Sequence, residues 1–472
     1  MSGPAIGDRL VKTGWAIFTS TQNMKERLGL ALLRFLRIGF CLTLVVFCCW
    51  RIWVTLVVNS ELKALRQAGF PTNWDELAAY YKKVPDDQNA ALVIGQAFTL
   101  FQTYPDARSN EIDKLDFQPK PCHWTQAQTT LLGGYLDLNS NALAKADAAV
   151  KLPHSRYPVN FLVGPDRLFL HLAPIKHLAW LYQCRARLAM DSQMFGMSDD
   201  AIIAILGVAK TLEAEPVSIS QLVRISVFQM AIETMEERFN AGALNDLELA
   251  NFKTAINKQT EFPAIAHALI GERAVTIPNF RLSFSQIKEF MGRTQPSPNL
   301  FSAMFKALEF SGFFERDLRC YLTAMNTNIM LAGLPPPRNL ELTNTVQEMA
   351  SYARKHWYFL TALGLPALQK LAIREDTQFA YLRLATTAIA IEQYRLARGR
   401  LPENLTNLTP EFISAIPNDP FDGQPLRYHR LGMGYVVYSI GNDGHDDGGH
   451  EKPVPTDYND KHTYDLTFTV KR

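Results

Sequence analysis

An apolar run of 21 residues, from Ile38 to Val58, constrains this chain more than any other feature. At about 1.5 Å per residue, one helix of this length crosses the hydrocarbon core of a bilayer. The run holds a single charged side chain, Arg51, about two turns from its distal end, and a side chain of that length can reach toward the headgroups. The sequence therefore predicts a transmembrane helix over residues 38–58.

The residues before this run predict its orientation. Residues 1–37 carry six basic and two acidic side chains, so the positive-inside rule keeps them in the cytoplasm and exports the remainder of the chain. A cleaved signal peptide is the alternative, because Val58, Asn59 and Ser60 form a weak cleavage site. The apolar core of a signal peptide is shorter, about 7–15 residues, so the sequence favours an uncleaved anchor.

Composition bounds the exported part. A chain of 472 residues predicts two or three domains, and 47% hydrophobic with 20% charged residues is typical of ordered globular protein. The net charge beyond residue 59 is slightly negative, which argues against a nucleic-acid partner. Beyond the anchor only Cys122, Cys184 and Cys320 remain, enough for one disulfide and too widely spaced for a metal framework.

Residues 59–375 have the pattern of an exported helical domain. Apolar side chains recur there at steps of three and four, as in Leu168, Leu172, Ile175, Leu178 and Leu181. Successive helices joined by short polar turns predict a mainly α fold, either a helical bundle or a short solenoid. No repeat period extends past one pair of helices.

The helical domain carries no recognised catalytic motif. His171 and His177 have the wrong spacing for a shared metal face, and Glu236 and Glu237 are most simply solvated charges. We therefore predict no catalytic residue and a structural or interaction role. The alternative is an exported, membrane-anchored hydrolase whose site is assembled from distant residues of this domain.

Residues 376–472 predict a small α+β domain. A helix begins with Asp376 as its N-cap and ends at Gly399, a natural left-handed cap. Residues 426–430 and 435–440 then form a hairpin, and alternating residues 466–470 form a closing strand.

An acidic, glycine-rich loop lies between these strands and is the best candidate site. It carries Asp443, Asp446 and Asp447, and Asp465 follows at the start of the last strand. Carboxylates clustered among glycines suit Ca²⁺, which takes six to eight oxygen ligands, including backbone carbonyls. An EF-hand is excluded because Val454 stands where the loop needs a bidentate acid. The alternative is a polar turn whose aspartates cap backbone amides.

The last hundred residues also resemble a known family. The elements that carry the resemblance follow in order: Glu392, Tyr394, Gly399-Arg400, Pro402, Pro417, Asp419-Pro420, Tyr428, Ser439, Gly441 and Asp443-Gly444. This series is similar to the globular domain of the major pseudopilin of type II secretion, whose corresponding loop binds calcium. The resemblance implies Asp443 and Asp465 as side-chain ligands of Ca²⁺, with Ser439 near the site and Asp446 or Asp447 assisting.

The anchor departs from that family, since Leu44 stands where a pseudopilin has a glutamate. Assembly into a pilus is therefore not expected. The chain as a whole resembles membrane-anchored bacterial envelope proteins of unassigned function. This implies an inner-membrane protein with its body in the periplasm, a link to secretion or envelope assembly, and the bilayer and an unidentified protein as partners.

Overall fold

The protein is described by a computed structural model that covers residues 7–116, 124–161, 169–259, 261, 263–282, 286, 299–450 and 464–472. The fold is mainly helical, with one small antiparallel sheet near the C-terminus, as the sequence predicts. Its helices are α1 (Gly7–Gln67), α2 (Trp74–Tyr80), α3 (Ala90–Phe98), α4 (Arg108–Asp116), α5 (Gln126–Leu138), α6 (Ser140–Ala149), α7 (Leu172–Asp191), α8 (Phe195–Lys210), α9 (Ser218–Ala241), α10 (Asp246–Asn257), α11 (Ala264–Thr276), α12 (Asn299–Ser311), α13 (Phe313–Ala332), α14 (Asn339–Lys355) and α15 (Phe359–Arg398). The strands are β1 (Arg427–Leu431), β2 (Gly434–Ser439) and β3 (Leu466–Val470).

Helix α1 is 61 residues long and contains the predicted anchor. Within the described residues, one helical stretch, Leu32–Gln67, is long and apolar enough to cross a bilayer. Large apolar side chains are exposed around the whole helix from Leu32 to Val46. Beyond this bare segment a stripe at helical spacing is buried: Val54, Val58 and Leu62. The first half of the predicted anchor is therefore exposed on all sides, whereas its second half carries one buried stripe.

The chain forms two compact units. The first comprises residues 1–64 and 283–316, and the second comprises residues 65–282 and 317–472. In the first unit the phenyl ring of Phe310 stacks on Phe47 of α1, with ring centroids 5.3 Å apart. One turn along α1, Arg51 forms an ion pair of 2.6 Å with Glu315.

Polar caps define several helix starts in the second unit. The Asn73 side chain accepts from the Glu76 amide at the start of α2. Thr125 with Gln128, and Asn245 with Glu248, form reciprocal capping boxes at α5 and α10. Each cap satisfies amides that a helix start leaves without an intrahelical partner, so the turn residues between helices fix where each one begins.

The core of the second unit joins the helices to the C-terminal sheet. The ring of Phe239 on α9 meets Phe468 on β3 edge-on at 5.4 Å, and the buried Tyr435 of β2 belongs to the same apolar cluster. The helix predicted to begin at Asp376 in fact extends from Phe359 to Arg398, so the prediction that Asp376 is an N-cap is wrong. Asp376 is buried inside α15, and the predicted division between residues 375 and 376 falls within this helix. Gly399 does end it, with φ of 66°.

The sheet has the order β1-β2-β3, both pairs antiparallel, as the predicted hairpin and closing strand require. Side chains of α9 hydrogen bond to the outer edge of β3. Glu236 accepts from the Thr469 amide at 2.9 Å, while Asn240 donates to the Thr469 carbonyl at 2.8 Å and accepts from the Lys471 amide at 2.7 Å. The strand edge is therefore closed by a helix.

This edge corrects the prediction that Glu236 and Glu237 are solvated charges. Glu236 is engaged by β3, and Glu237 forms a bidentate ion pair with Arg187 of α7, both contacts at 2.7 Å. Sequence periodicity places both on an amphipathic helix but cannot reveal partners that are 50 and 233 residues away.

Candidate ion site in the C-terminal loop

The site is built on Asp419, a buried carboxylate in the irregular segment before β1. Its Oδ1 accepts from the Phe421 amide and from the Ser439 hydroxyl, both at 2.9 Å. Its Oδ2 accepts from the Ile440 amide at 2.9 Å. Asp419 therefore fixes the end of β2, where the acidic loop begins. Ser439 is fully buried, and its hydroxyl is committed to Asp419.

Arg427 at the start of β1 is the principal cation of the region. Its guanidinium reaches Asp419 at 2.9 Å and Asp446 at 3.2 Å, and it also bonds Asp422. One positive charge thus serves three carboxylates. Burial would lower the pKa of Arg427, but the three aspartates, Asp422 foremost, raise it above the ordinary value.

Two of the predicted ligands form local turns. Asp443 Oδ1 accepts from the His445 amide at 3.1 Å, and Asp446 Oδ1 accepts from the Gly448 amide at 3.0 Å. Partial burial raises the pKa of Asp446, but the Gly448 amide, the Tyr438 hydroxyl and Arg427 outweigh it and leave the pKa lowered. Asp446 is therefore held as a carboxylate by partners within the protein.

Asp465 differs from the other predicted ligands. Only 5% of its surface is exposed. Its Oδ2 accepts from the Gly449 amide at 2.7 Å, whereas Oδ1 is buried and has no hydrogen-bond partner among the described residues, which leave out 451–463. Burial raises the pKa of Asp465, and the carboxylates of Asp446 and Asp447 raise it further, against the opposing effect of backbone amides. A buried carboxylate with a bare oxygen beside two like charges is energetically costly unless a proton or a cation reaches it.

The predicted set therefore separates. Ser439 and Asp446 have protein partners, and Asp443 lies on an exposed turn. Asp465 has a buried oxygen without a partner among the described residues, and the charge of Asp447 acts on it. Among the described residues no group of three His, Cys, Asp or Glu side chains is arranged to hold a metal ion. The other acidic residues of this stretch, Asp457 and Asp460, lie outside the described residues.

Sequence reasoning missed the roles of Asp419 and Arg427. The signal was present, since Asp419 stands between Asn418 and Pro420 in a turn and Arg427 begins a strand. The sequence does not predict that Arg427 pairs with Asp419 and Asp446, because these contacts depend on the strand register that places Arg427 opposite Tyr438.

A second cluster of charges lies in the helical part of the same unit. Arg338 is buried and forms ion pairs with Glu375 at 2.5 Å and Asp376 at 3.1 Å. Glu375 also accepts from the Ile265 amide at 2.8 Å. Burial raises the pKa of Asp376 to about 7; Arg338 opposes this shift and Glu375 adds to it. One guanidinium again forms ion pairs with more than one carboxylate, and here all the charged groups are buried.

A cavity of about 500 Å³ lies beside α15, between the end of α10 and the segment before β1. Its titratable side chains are Glu261 and Arg383, which form a bidentate ion pair with both contacts at 2.7 Å. The remaining lining side chains are apolar or carry an amide, apart from the hydroxyl of Thr386. The cavity therefore offers shape and hydrogen bonding, and its acid is already neutralised by its base.

The two histidines of α7 and the turn before it are structural, as predicted. His171 stacks on Tyr157 with ring centroids 4.3 Å apart and contacts Glu215 at 3.0 Å. His177 lies 3.3 Å from the Tyr135 hydroxyl. Both rings are packed among aromatic side chains. Cys122, one of the three cysteines beyond the predicted anchor, lies outside the described residues.

Comparison with protein-family models, with curated proteins and with solved structures finds no match to this chain.

Proposed function

We propose that this chain is a single-pass protein of the bacterial inner membrane whose exported helical body has a structural or interaction role in the envelope. The observation that carries the proposal is the unbroken course of α1 from its bare apolar segment into folded protein. An apolar helix whose whole circumference is exposed has no soluble environment that suits it, whereas acyl chains do.

The same helix argues against the cleaved signal peptide. Residues 58–60 are helical, Val58 is 1% exposed, and the Ser60 hydroxyl donates to the Val57 carbonyl at 2.7 Å. Cleavage there would also remove Phe47 and Arg51, which pair with Phe310 and with Glu315. An uncleaved anchor keeps these contacts.

The role that we propose is non-catalytic, and the ion pairs of the described helices support it. The cavity pairs its acid, Glu261, with its base, Arg383, and the pairs Arg187–Glu237 and Arg338–Glu375 join helices. A hydrolase needs a nucleophile or base within hydrogen-bond reach of an open substrate position. An exported hydrolase stays the alternative.

Topology and processing test the proposal together. Reporter fusions after residue 30 and after residue 100 should give cytoplasmic and exported signals respectively. Mass spectrometry of the membrane fraction should give the uncleaved chain, and crosslinking in intact cells followed by purification should retain a protein partner. A mature N-terminus near residue 59, or the same compartment for both fusions, would contradict the proposal.

We infer that the C-terminal loop binds a divalent cation, with Ca²⁺ favoured. The inference depends on the bare, buried Oδ1 of Asp465 and on the neighbouring carboxylate of Asp447. Loop carbonyls freed by Gly448 and Gly449, which have φ of 72° and 76°, can supply further oxygens. Asp443 stays a predicted ligand.

Titration of the full-length protein in detergent tests this site. Calcium should raise the melting midpoint relative to chelator, since a ligand of the folded state at a hundredfold excess over Kd adds about 2.7 kcal/mol. Asp465→Asn should abolish the response. Asp422→Asn, which removes a carboxylate bonded to Arg427, is the matched control and should keep it. No response in the wild-type protein leaves a polar turn.

A further inference from the structure

The only charge in the apolar run, Arg51, is fully partnered by the chain itself. Its Nη2 lies 2.6 Å from Glu315 Oε1, its Nε donates to the Phe310 carbonyl at 3.2 Å, and its Nη1 donates to the Thr55 hydroxyl at 3.0 Å. Ionisable groups inside membranes characteristically pair with each other or with backbone carbonyls. Arg51 thus has the environment of a buried membrane charge.

Two of these partners, Phe310 and Glu315, belong to the turn between α12 and α13, which we call the corner and define as residues 304–315. Gly312 makes the turn, with φ of 76°. A Cβ at this position would lie 3.1 Å from Arg51 Cδ, so glycine serves both the left-handed backbone and the close approach of the arginine. Inside the corner Phe305 packs on Phe314, and both are buried.

The outer surface of the corner is apolar. Phe310 is 71% exposed although it stacks on Phe47, and Met304 is also exposed. At 100° per residue, Met304 and Phe310 mark the two edges of a sector of α12 about 120° wide, in which Ala303 and Ala307 are also exposed. The exposed Lys306 and Glu309 lie outside this sector, beyond Phe310. An uncharged face bordered by charges is typical of a helix in the plane of a membrane interface.

The position of Arg51 places the corner at the membrane. A hydrocarbon core of about 30 Å takes about 20 helical residues, so a core that begins after Arg37 ends near Val57 and leaves Arg51 about 9 Å inside. Shifting the membrane to expose Arg51 would submerge both Arg34 and Arg37. Burying one arginine already paired with a carboxylate is the less costly arrangement.

We propose, on the basis of the single-pass anchor proposed above, that the corner inserts into the exported leaflet, with Phe310 and Met304 in contact with acyl chains. Continuity carries this step, because the lipid that coats Phe47 on α1 meets Phe310 directly. On the same count Phe47 lies about 15 Å inside the core, so Phe310, which stacks on it, is at the level of the acyl chains. The Arg51–Glu315 pair holds the inserted corner against the anchor.

Collision accessibility of a spin label measures this insertion. A nitroxide at Phe310→Cys, in full-length protein whose six native cysteines are replaced by alanine, is compared in phosphatidylglycerol–phosphatidylethanolamine vesicles with one at Leu247→Cys. Leu247 is the matched control because it is an equally exposed apolar residue, at 70%, on α10. Oxygen should dominate relaxation at position 310 and a water-soluble nickel chelate at position 247, with at least a fivefold difference in their accessibility ratio.

The ion pair is tested in the same vesicles. Glu315→Gln should raise nickel accessibility at position 310 severalfold, and the reversal Arg51→Glu with Glu315→Arg should restore the original ratio. Equal accessibility at positions 310 and 247 in protein that floats with the vesicles would overturn the inference and leave the anchor standing. A label shielded from both reagents would also overturn it, since protein would then cover the corner. Failure to float would overturn the anchor itself.

Discussion

Arg338 in the helices and Arg427 in the sheet each form ion pairs with more than one carboxylate, so both clusters carry excess negative charge. The two clusters differ in how that charge is stabilised. Around Arg427 the excess negative charge is shared with backbone amides and with water, and the pKa of Asp446 stays low. Arg338, Glu375 and Asp376 are buried, and the pKa of Asp376 rises to about 7 because burial penalises the second charge.

The comparison shows that solvent and backbone donors, rather than the number of ion pairs, decide how a charge cluster affects stability. A buried ion pair costs desolvation that its Coulomb attraction only partly returns, whereas removing one partner leaves an uncompensated charge. Near the surface the remaining partner is rehydrated instead. The two arginines should therefore respond differently to the same substitution.

The largest expected effect is the loss of the buried guanidinium. Arg338→Leu should lower the free energy of unfolding by about 3–5 kcal/mol, because Glu375 and Asp376 then lose the arginine with which both form ion pairs. Arg427→Leu should cost about 1–2 kcal/mol. Chemical denaturation of the detergent-solubilised proteins measures both. Equal losses of unfolding free energy in the two variants would contradict the comparison, because burial would then not affect the cost of removing the arginine.

The next effect is on pH dependence. Since the folded pKa of Asp376 is about 7 against an ordinary 3.8, its stabilising contribution is complete below about pH 4 and is lost as pH rises through 7. Asp376→Asn should remove this loss and stabilise the protein at pH 8 by up to about 4 kcal/mol, with little change at pH 4.

Melting midpoints between pH 4 and pH 8 measure this effect. Asp199, whose pKa is raised to about 6 by burial next to Arg238, titrates in the same direction and should leave a residual slope in the variant. A variant whose profile parallels that of the wild-type protein would show that Asp376 does not titrate there.

The smallest effect is expected in the sheet. Asp422→Asn removes one of the three carboxylates of Arg427, yet Asp419 and Asp446 remain and the position is a quarter exposed. The free energy of unfolding should change by less than about 1 kcal/mol. A loss of unfolding free energy as large as that of Arg338→Leu would mean that the Arg427 cluster responds like a buried one. The two regions would then not differ.

The elements were predictable because they depend on local pattern. The apolar run, the three- and four-residue periodicity, the cap at Gly399 and the turn between β1 and β2 all act within a few residues. The start of the last long helix was not, because Asp376 is a good cap by residue type. Its contact with Arg338 is tertiary and buries it inside α15 instead.

The candidate site was predictable only as a location. Clustered aspartates and glycines identify the loop. They do not reveal that Arg427 forms an ion pair with Asp446 or that the Ser439 hydroxyl donates to Asp419. These pairings depend on strand register. Conversely, the bare oxygen of Asp465 depends on the burial created when β3 joins the sheet, which no local pattern records.

Helix α1 also fixes the angle at which its side chains face their partners around the helix axis. Phe47, Arg51, Val54, Val58 and Leu62 follow one stripe at steps of three and four, and no proline or glycine interrupts the helix between them. One residue inserted after Ile52 would turn the segment before it by about 100° relative to the stripe beyond it, whereas seven would return it to within about 20°. The angle of this stripe, as well as the length of the helix, therefore sets which side chains of α1 meet Phe310 and Glu315, and an arbitrary apolar helix of equal length cannot replace it.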